Sequence, residues 1–145
     1  MFIQFDTAHF EGQGSDKVHN PSSRFGGYGF YAREGRPVFH YNAVGTDQFT
    51  VRGDTAIAPG KRRIGAAFAA DTATPGTMTL FIDGKQVASG RIGRTVAGWM
   101  SQTEGLDIGR DTVTPVNNDY RVEDSVFTGG IDKVTVTIDA PDSTK

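Results

Sequence analysis

Three histidines are the side chains in this sequence best suited to bind a transition metal. His9, His19 and His40 all lie in the first forty residues, with several acidic residues between them. Imidazole nitrogens bind zinc, copper or nickel, and three around an open coordination position would activate a bound water for hydrolysis of phosphate or sulfate esters. The spacings match no compact ligand motif, so histidines scattered over the surface are the competing interpretation.

A second group of side chains, closer to the C-terminal end, offers oxygen ligands. It comprises Asp107, Asp111, Asn117 and Asp119. Calcium takes about six to eight oxygen ligands, so this composition is compatible with a structural Ca²⁺ site. Aspartate and asparagine also stabilise turns by bonding to their own backbone, which would account for the same residues without an ion.

Aromatic and basic side chains form a third group, which would suit a saccharide. The predicted ligand-binding residues are Tyr120, Trp99 and Arg110. Tyrosine and tryptophan rings stack on sugar rings, and an arginine would contact an anionic substituent. The competing interpretation is that the aromatic rings fill the core and that the arginine is a solvated surface residue.

The sequence lacks the residues that several other kinds of active site require. The chain contains no cysteine, which excludes disulfides, thiolate catalysis and Cys-ligated metals. The Gly-x-Ser-x-Gly motif is missing, and no helix is predicted after the glycine-rich stretches. The glutamates are scattered, so no strand carries the alternating carboxylates of a glycosidase. The sequence therefore leans against an enzyme and assigns no confident cofactor.

Composition and charge favour one globular domain spanning residues 1–145. The 145 residues are 37% hydrophobic and 22% charged, with a formal net charge of -2. The sequence contains no basic stripe, so no nucleic-acid partner is predicted. No apolar run approaches the ~20 residues of a membrane-spanning helix. The N-terminal residues lack the basic and apolar regions of a signal peptide, so we expect a soluble chain whose compartment is left open.

The elements that must position these side chains are predicted to be short strands. Nineteen glycines and six prolines separate segments rich in Val, Ile, Thr, Phe and Tyr, a spacing typical of an antiparallel sandwich. The predicted strands are 28–32, 38–42, 48–52, 62–69, 77–83, 86–92 and 131–138. We expect a glycine hairpin near Gly35 and a tight turn at Asp83-Gly84.

The remaining segments show weaker patterns. We expect residues 1–23 to form a variable edge strand followed by a loop, and residues 139–145 to form a frayed tail. The stretch 95–102 would hold one short turn with Trp99 packed inward. The fold class that follows is all-β: a two-sheet antiparallel β-sandwich of the jelly-roll, concanavalin A-like kind.

A set of segments, taken in their order along the chain, resembles the C-terminal β-sandwich region of bacterial arylsulfatases. The segments are 24–31, 35–38, 41–42, 59–61, 80–84, 90–92, 107–112, 115–116, 119–120 and 127–131. The most specific read Asp-Ile-Gly-Arg-Asp-Thr at 107–112 and Phe-Thr-Gly-Gly-Ile at 127–131. The resemblance covers about residues 24 to 138 and implies a concanavalin-like sandwich that accompanies a separate alkaline-phosphatase-like catalytic domain.

The sulfatase chemistry itself does not carry over to this chain. Sulfatases modify a Cys or Ser within a Cys/Ser-x-Pro-x-Arg motif, and Asn-Pro-Ser-Ser-Arg at 20–24 lacks the modified residue and misplaces the arginine. Our leading hypothesis is a non-catalytic accessory or carbohydrate-binding β-sandwich that binds a saccharide or a catalytic partner domain. The alternatives are a small metal-dependent hydrolase using the N-terminal histidines and a structural module that self-associates, for instance as a homodimer.

Overall fold

The structure is a computed structural model that describes residues 2–10, 17–20, 22–23, 26–70, 75–96, 107–112 and 114–138. Side chains are described from residue 26 onward within these ranges. The strands are β1 (Phe2–Phe10), β2 (Lys17–Asn20), β3 (Ser22–Ser23), β4 (Gly26–Arg33), β5 (Arg36–Ala43), β6 (Asp47–Arg52), β7 (Gly60–Ala70), β8 (Gly76–Ile82), β9 (Lys85–Ile92), β10 (Asp107–Ile108) and β11 (Ile131–Thr137). A 3₁₀ turn spans Val122–Asp124.

The strands form two antiparallel sheets. The five-stranded sheet has the order β11-β1-β7-β8-β9, and the six-stranded sheet has the order β10-β2-β4-β5-β6, with β3 paired to β4. The predicted two-sheet antiparallel β-sandwich is therefore confirmed. Within the described part of the chain, no helix is long and apolar enough to cross a membrane.

Both predicted hairpins are confirmed, and backbone angles explain them. Residues Glu34 and Gly35 join β4 to β5 with φ angles of 51° and 68°, and Asp83 and Gly84 join β8 to β9 with φ angles of 50° and 80°. Two successive positive φ angles give the turn whose twist matches that of the flanking strands, and glycine adopts such angles without steric cost.

The N-terminal strand differs from its predicted position. β1 lies between β11 and β7, paired with both, so it is an inner strand of the five-stranded sheet. The expectation of an edge strand at residues 1–23 is therefore wrong. The chain's last described strand, β11, returns to the N-terminal strand and takes the edge position itself. The predicted tail at 139–145 and the predicted turn around Trp99 lie outside the described residues.

The main core lies between the two sheets. Phe30 and Phe39 contribute from the six-stranded sheet, and Ile64, Met78 and Leu80 contribute from the five-stranded sheet. Phe30 pairs with Phe39 across β4 and β5, so both rings point to the same side of the sheet. Side chains alternate along a strand, so the neighbours of these residues in sequence point away from the core.

Candidate functional site

The candidate site lies on the outer face of the six-stranded sheet, defined here as the side of β4, β5 and β6 turned away from the main core. The cross-strand register builds this face from three rows of residues. The rows are Tyr31–Val38–Arg52, Gly29–His40–Thr50 and Gly27–Asn42–Gln48. Most of these side chains are polar, whereas the residues between them, such as Phe30 and Phe39, belong to the core.

A small second core anchors a loop on this face. Tyr31 and Val38 are buried together with Val116, and Tyr120 packs against them. The Tyr31 and Tyr120 rings meet edge to face with centroids 5.6 Å apart, an arrangement that aromatic rings favour. The segment 114–121 is therefore held over the outer face by apolar packing, although it is far from β4 in sequence.

Asp119 is the charged centre of this face. Its Oδ1 lies 2.8 Å from Nη1 of Arg33, and its Oδ2 lies 3.3 Å from Nη2 of Arg52. The Tyr31 hydroxyl donates a hydrogen bond to the same Oδ2 at 2.9 Å and accepts one from Nδ2 of Asn117 at 2.7 Å. Two strands and one loop thus meet at a single carboxylate.

Tyr120 and Asp111 hold the loop from its other side. The Tyr120 hydroxyl donates to Oδ2 of Asp111 at 3.0 Å and accepts from the backbone N–H of Val116 at 3.0 Å. Burial raises the pKa of Tyr120 well above its ordinary value; the hydrogen bond from Val116 opposes that shift, and the negative charge of Asp111 adds to it. Tyr120 is therefore a neutral donor in the folded protein at physiological pH.

Asp111 is fixed in turn by Ser125. The Ser125 hydroxyl accepts a hydrogen bond from the backbone N–H of Asp111 at 2.9 Å and donates to the Val122 carbonyl at 2.6 Å. Both residues are buried. A buried polar group is costly unless it is hydrogen-bonded, so these contacts indicate that the loop adopts one defined conformation.

His40 is a buried imidazole in the middle of the outer face. It is 3% exposed, and its Nδ1 lies 2.7 Å from Oγ1 of Thr50. Its Nε2 is buried without a hydrogen-bond partner in the described structure. Burial lowers the pKa of His40 below 6.5, and the negative charge of Asp119 opposes that shift. The ring therefore carries one polar atom that a further group could satisfy.

The three predicted metal-binding histidines are divided between the sheets. His9 lies on β1 of the five-stranded sheet, whereas His19 and His40 lie on β2 and β5 of the six-stranded sheet. The side chains of His9 and His19 are outside the described part of the structure. Within that part, no group of three or more His, Cys, Asp or Glu side chains lies where it could hold a metal ion. The histidine metal site stays a prediction.

The predicted calcium ligands are engaged in other contacts. Asp107 accepts hydrogen bonds from the backbone and hydroxyl of Thr112 at 2.8 and 2.7 Å. Asn117 Oδ1 accepts from the backbone N–H of Asp119 at 3.0 Å, which is the turn-stabilising pattern weighed against calcium. Asp111 accepts a hydrogen bond from Tyr120, and Asp119 forms ion pairs with Arg33 and Arg52. The described contacts support the turn interpretation, and a calcium site stays a prediction.

The predicted ligand-binding residues have three different outcomes. Tyr120 lies at the site, but its ring packs on Tyr31 and its hydroxyl is bonded within the loop. Arg110 is exposed just after β10. Trp99 lies outside the described residues. A direct contact of any of them with a saccharide stays a prediction.

Sequence reasoning missed Arg33, Arg52 and Tyr31 as parts of one site. Arg33 and Tyr31 share a face of β4 because they are two residues apart, and Arg52 ends β6. That alternation was readable in the sequence. The sequence did not show the register that places Arg52 on the same row as Tyr31, and it did not show that Asp119 lies beside them.

The comparisons with known proteins support the fold. No protein-family model matches the chain, and no curated protein matches it. Among solved structures, the chain is similar to the CBM40 of the Ruminococcus gnavus IT-sialidase, with a TM-score of 0.60 and 11% sequence identity. The similarity covers 92% of this chain and 72% of that one. At this level of identity the likeness shows a shared β-sandwich fold.

Proposed function

We propose that this chain is a non-catalytic saccharide-binding module whose ligand lies on the outer face of the six-stranded sheet. The observation that carries the proposal is a polar patch, defined here as Arg33, Thr50, Arg52, Asn117 and Asp119, which is partly or fully exposed and fixed from beneath. Saccharide recognition requires hydrogen-bonding groups held in place before the ligand arrives, because ordering them on binding would reduce affinity.

The patch is held in place by the buried residues under it. Tyr31 binds both Asn117 and Asp119, and Val38 and Val116 exclude water from its ring. Thr50 is bonded to His40. These contacts restrict the rotamers of the exposed groups, as a binding site on a rigid sheet requires.

The fold neighbour supports the same class of function. The similar structure is a carbohydrate-binding module by its name, and this chain shares its β-sandwich fold. We retain the resemblance to arylsulfatase C-terminal regions as part of the proposal: the chain would act as an accessory to a catalytic partner domain. Self-association as a homodimer is a further proposal, to be tested by light scattering.

Saccharide titrations followed by nuclear magnetic resonance test the proposal. A glycan array first selects saccharides that bind the full chain, and these are then titrated into ¹⁵N-labelled protein. We expect amide shifts to concentrate on β4, β5, β6 and residues 116–120, with little change at Thr79 and Ser89 on the opposite sheet. Shifts confined to the five-stranded sheet, or no binding to any saccharide on the array, would contradict the proposal.

A further inference from the structure

We infer that the polar patch binds the carboxylate of an acidic saccharide, with Arg33 and Arg52 as the groups that contact it. The inference deepens the proposed function and rests on it. Asp119 is then a positioning residue, since it holds the two guanidinium groups side by side. Nothing in the fold or the sequence motifs requires the ligand to be charged, so the inference depends on the arrangement of these arginines.

Each guanidinium has donors left over after it has bound Asp119. An arginine offers five N–H donors in a rigid plane. Arg33 contacts Asp119 through Nη1 and Arg52 contacts it through Nη2, and neither makes another ion pair within the described structure. The side chains of Arg33 and Arg52 are 33% and 46% exposed. Their remaining donors are therefore accessible to a ligand.

The positive charges of the arginines at this site outnumber the carboxylates that they contact. Arg36 lies directly opposite Arg33 in the register of β4 and β5, and like charges opposite each other destabilise a sheet. Arg36 Nε donates to the backbone carbonyl of Asp54 at 3.1 Å, which neutralises no charge. In the described part of the chain, Asp119 is the one carboxylate within ion-pair distance of any of these three arginines. A bound anion would relieve this repulsion.

The geometry favours a carboxylate as the anionic group. Asp119 presents one oxygen to Arg33 and the other to Arg52, so both guanidinium groups are held next to one planar carboxylate, with their remaining donors close to one another. Arginine also pairs with carboxylates through two parallel hydrogen bonds. Thr50, two residues before Arg52 on β6, and Asn117, which contacts Tyr31, would bind sugar hydroxyls.

Isothermal titration calorimetry at low salt tests the inference with pairs of ligands that differ in their carboxylate charge. The probes are oligosaccharides of galacturonic and glucuronic acid and a sialylated oligosaccharide, each beside its methyl ester, together with a sulfated galactan oligosaccharide. We expect at least one acidic probe to bind. Its methyl ester should bind about tenfold more weakly, because the charge-assisted hydrogen bonds are lost.

The arginine variants locate the interaction. Arg33→Gln and Arg52→Gln should each weaken binding of the acidic probe about tenfold, while Arg33→Lys and Arg52→Lys, which keep the charge, should lose less. Arg94→Gln is the matched control, because Arg94 pairs with Asp47 at 2.9 Å and Asp47 lies about 16 Å from Arg52 along β6. Unfolding midpoints of all variants show whether each one is folded.

The outcomes separate the inference from the proposed function. If an acid and its ester bind equally, or if the Arg33 and Arg52 variants behave like Arg94→Gln, the inference is wrong and saccharide binding stands. If the sulfated probe binds as tightly as the carboxylated ones, the assignment to a carboxylate is wrong. If no saccharide of any charge binds, both proposals fail.

Discussion

His40 occupies an unusual place for a histidine, because it is buried in the middle of the outer face, where Tyr31, Val38 and Asn42 are buried as well. Its neighbours across the sheet are Gly29 and Thr50, and Gly29 contributes no side chain to fill the space beside the ring. Leaving Nε2 unpaired costs about 1–3 kcal/mol, by analogy with other buried polar groups.

The first prediction concerns the pH dependence that His40 gives the fold. Burial lowers the folded-state pKa of His40 below its ordinary value of 6.5, so at mildly acidic pH the unfolded chain binds a proton that the folded chain does not. The stabilising contribution is present above pH ~6.5 and is lost as the pH falls through the window below it. Urea unfolding at pH 7.5 and 5.5 should show a smaller loss of stability for His40→Asn than for the unsubstituted chain.

The comparison isolates His40, because His9 and His19 are present in both proteins and cancel. Thr50→Val serves as a second variant, since it removes the hydrogen bond to Nδ1 but leaves the titrating ring in place. Equal losses of stability in the His40→Asn variant and the unsubstituted chain would show that this imidazole does not control acid sensitivity.

At the level of the strands, the two sheets approach each other closely where β9 faces β6. A Cβ atom added at Gly90 would lie 2.6 Å from Cγ2 of Val51, and Val51 is buried with little rotameric freedom. Glycine is therefore needed at position 90 because a larger side chain would not fit against Val51. The backbone φ of Gly90 does not itself require glycine. The width of the sandwich at this end depends on that missing methyl group.

We predict that Gly90→Ala destabilises the fold by about 1–3 kcal/mol, the cost of overpacking a filled core. Gly130→Ala is the matched control, because nothing lies within 4 Å of the added Cβ at that position. Chemical denaturation should lower the midpoint of the first variant and leave that of the second almost unchanged. Equal midpoints would mean that the sheets separate freely at β6 and β9.

The strands also show what could and could not be predicted from the sequence. Alternating residues and Gly turns predicted β4 to β9 and β11 closely, because period-two patterning and positive-φ turns are local properties. The place of β1 within its sheet was missed, since edge and inner strands differ in their neighbours more than in their own residues. The site was missed for the same reason: Asp119 meets Tyr31 across 88 residues of chain, and local patterns do not determine such a contact.

For the molecule as a whole, we predict that ionisation of buried tyrosines lowers stability at alkaline pH. Burial raises the pKa of Tyr28, in the main core, from 10.0 to about 12, and burial also raises the pKa values of Tyr31 and Tyr120 on the outer face. The unfolded chain therefore releases protons from these residues at a lower pH than the folded chain does. The stability that they contribute is present below pH ~10 and is lost as the pH rises above it.

The expected result is a cooperative alkaline transition. Absorbance at 295 nm, which reports tyrosinate, should rise together with the loss of the far-ultraviolet circular dichroism of the sheets. Tyr28→Phe should make this transition shallower, whereas a gradual absorbance rise near pH 10 with the sheet signal unchanged would contradict the prediction.

The connection between Asp119 and the β4–β5–β6 meander also has a consequence for the order of assembly. The meander is made of neighbouring hairpins, whose loops close at low entropic cost, whereas the loop carrying Asp119 must close a far longer segment of chain. The scaffold of the outer face can therefore form before its charged centre arrives. In the folded protein, partial unfolding can follow the opposite order. The loop is the part that can detach while both sheets persist, so loss of ligand recognition would be an early sign of unfolding.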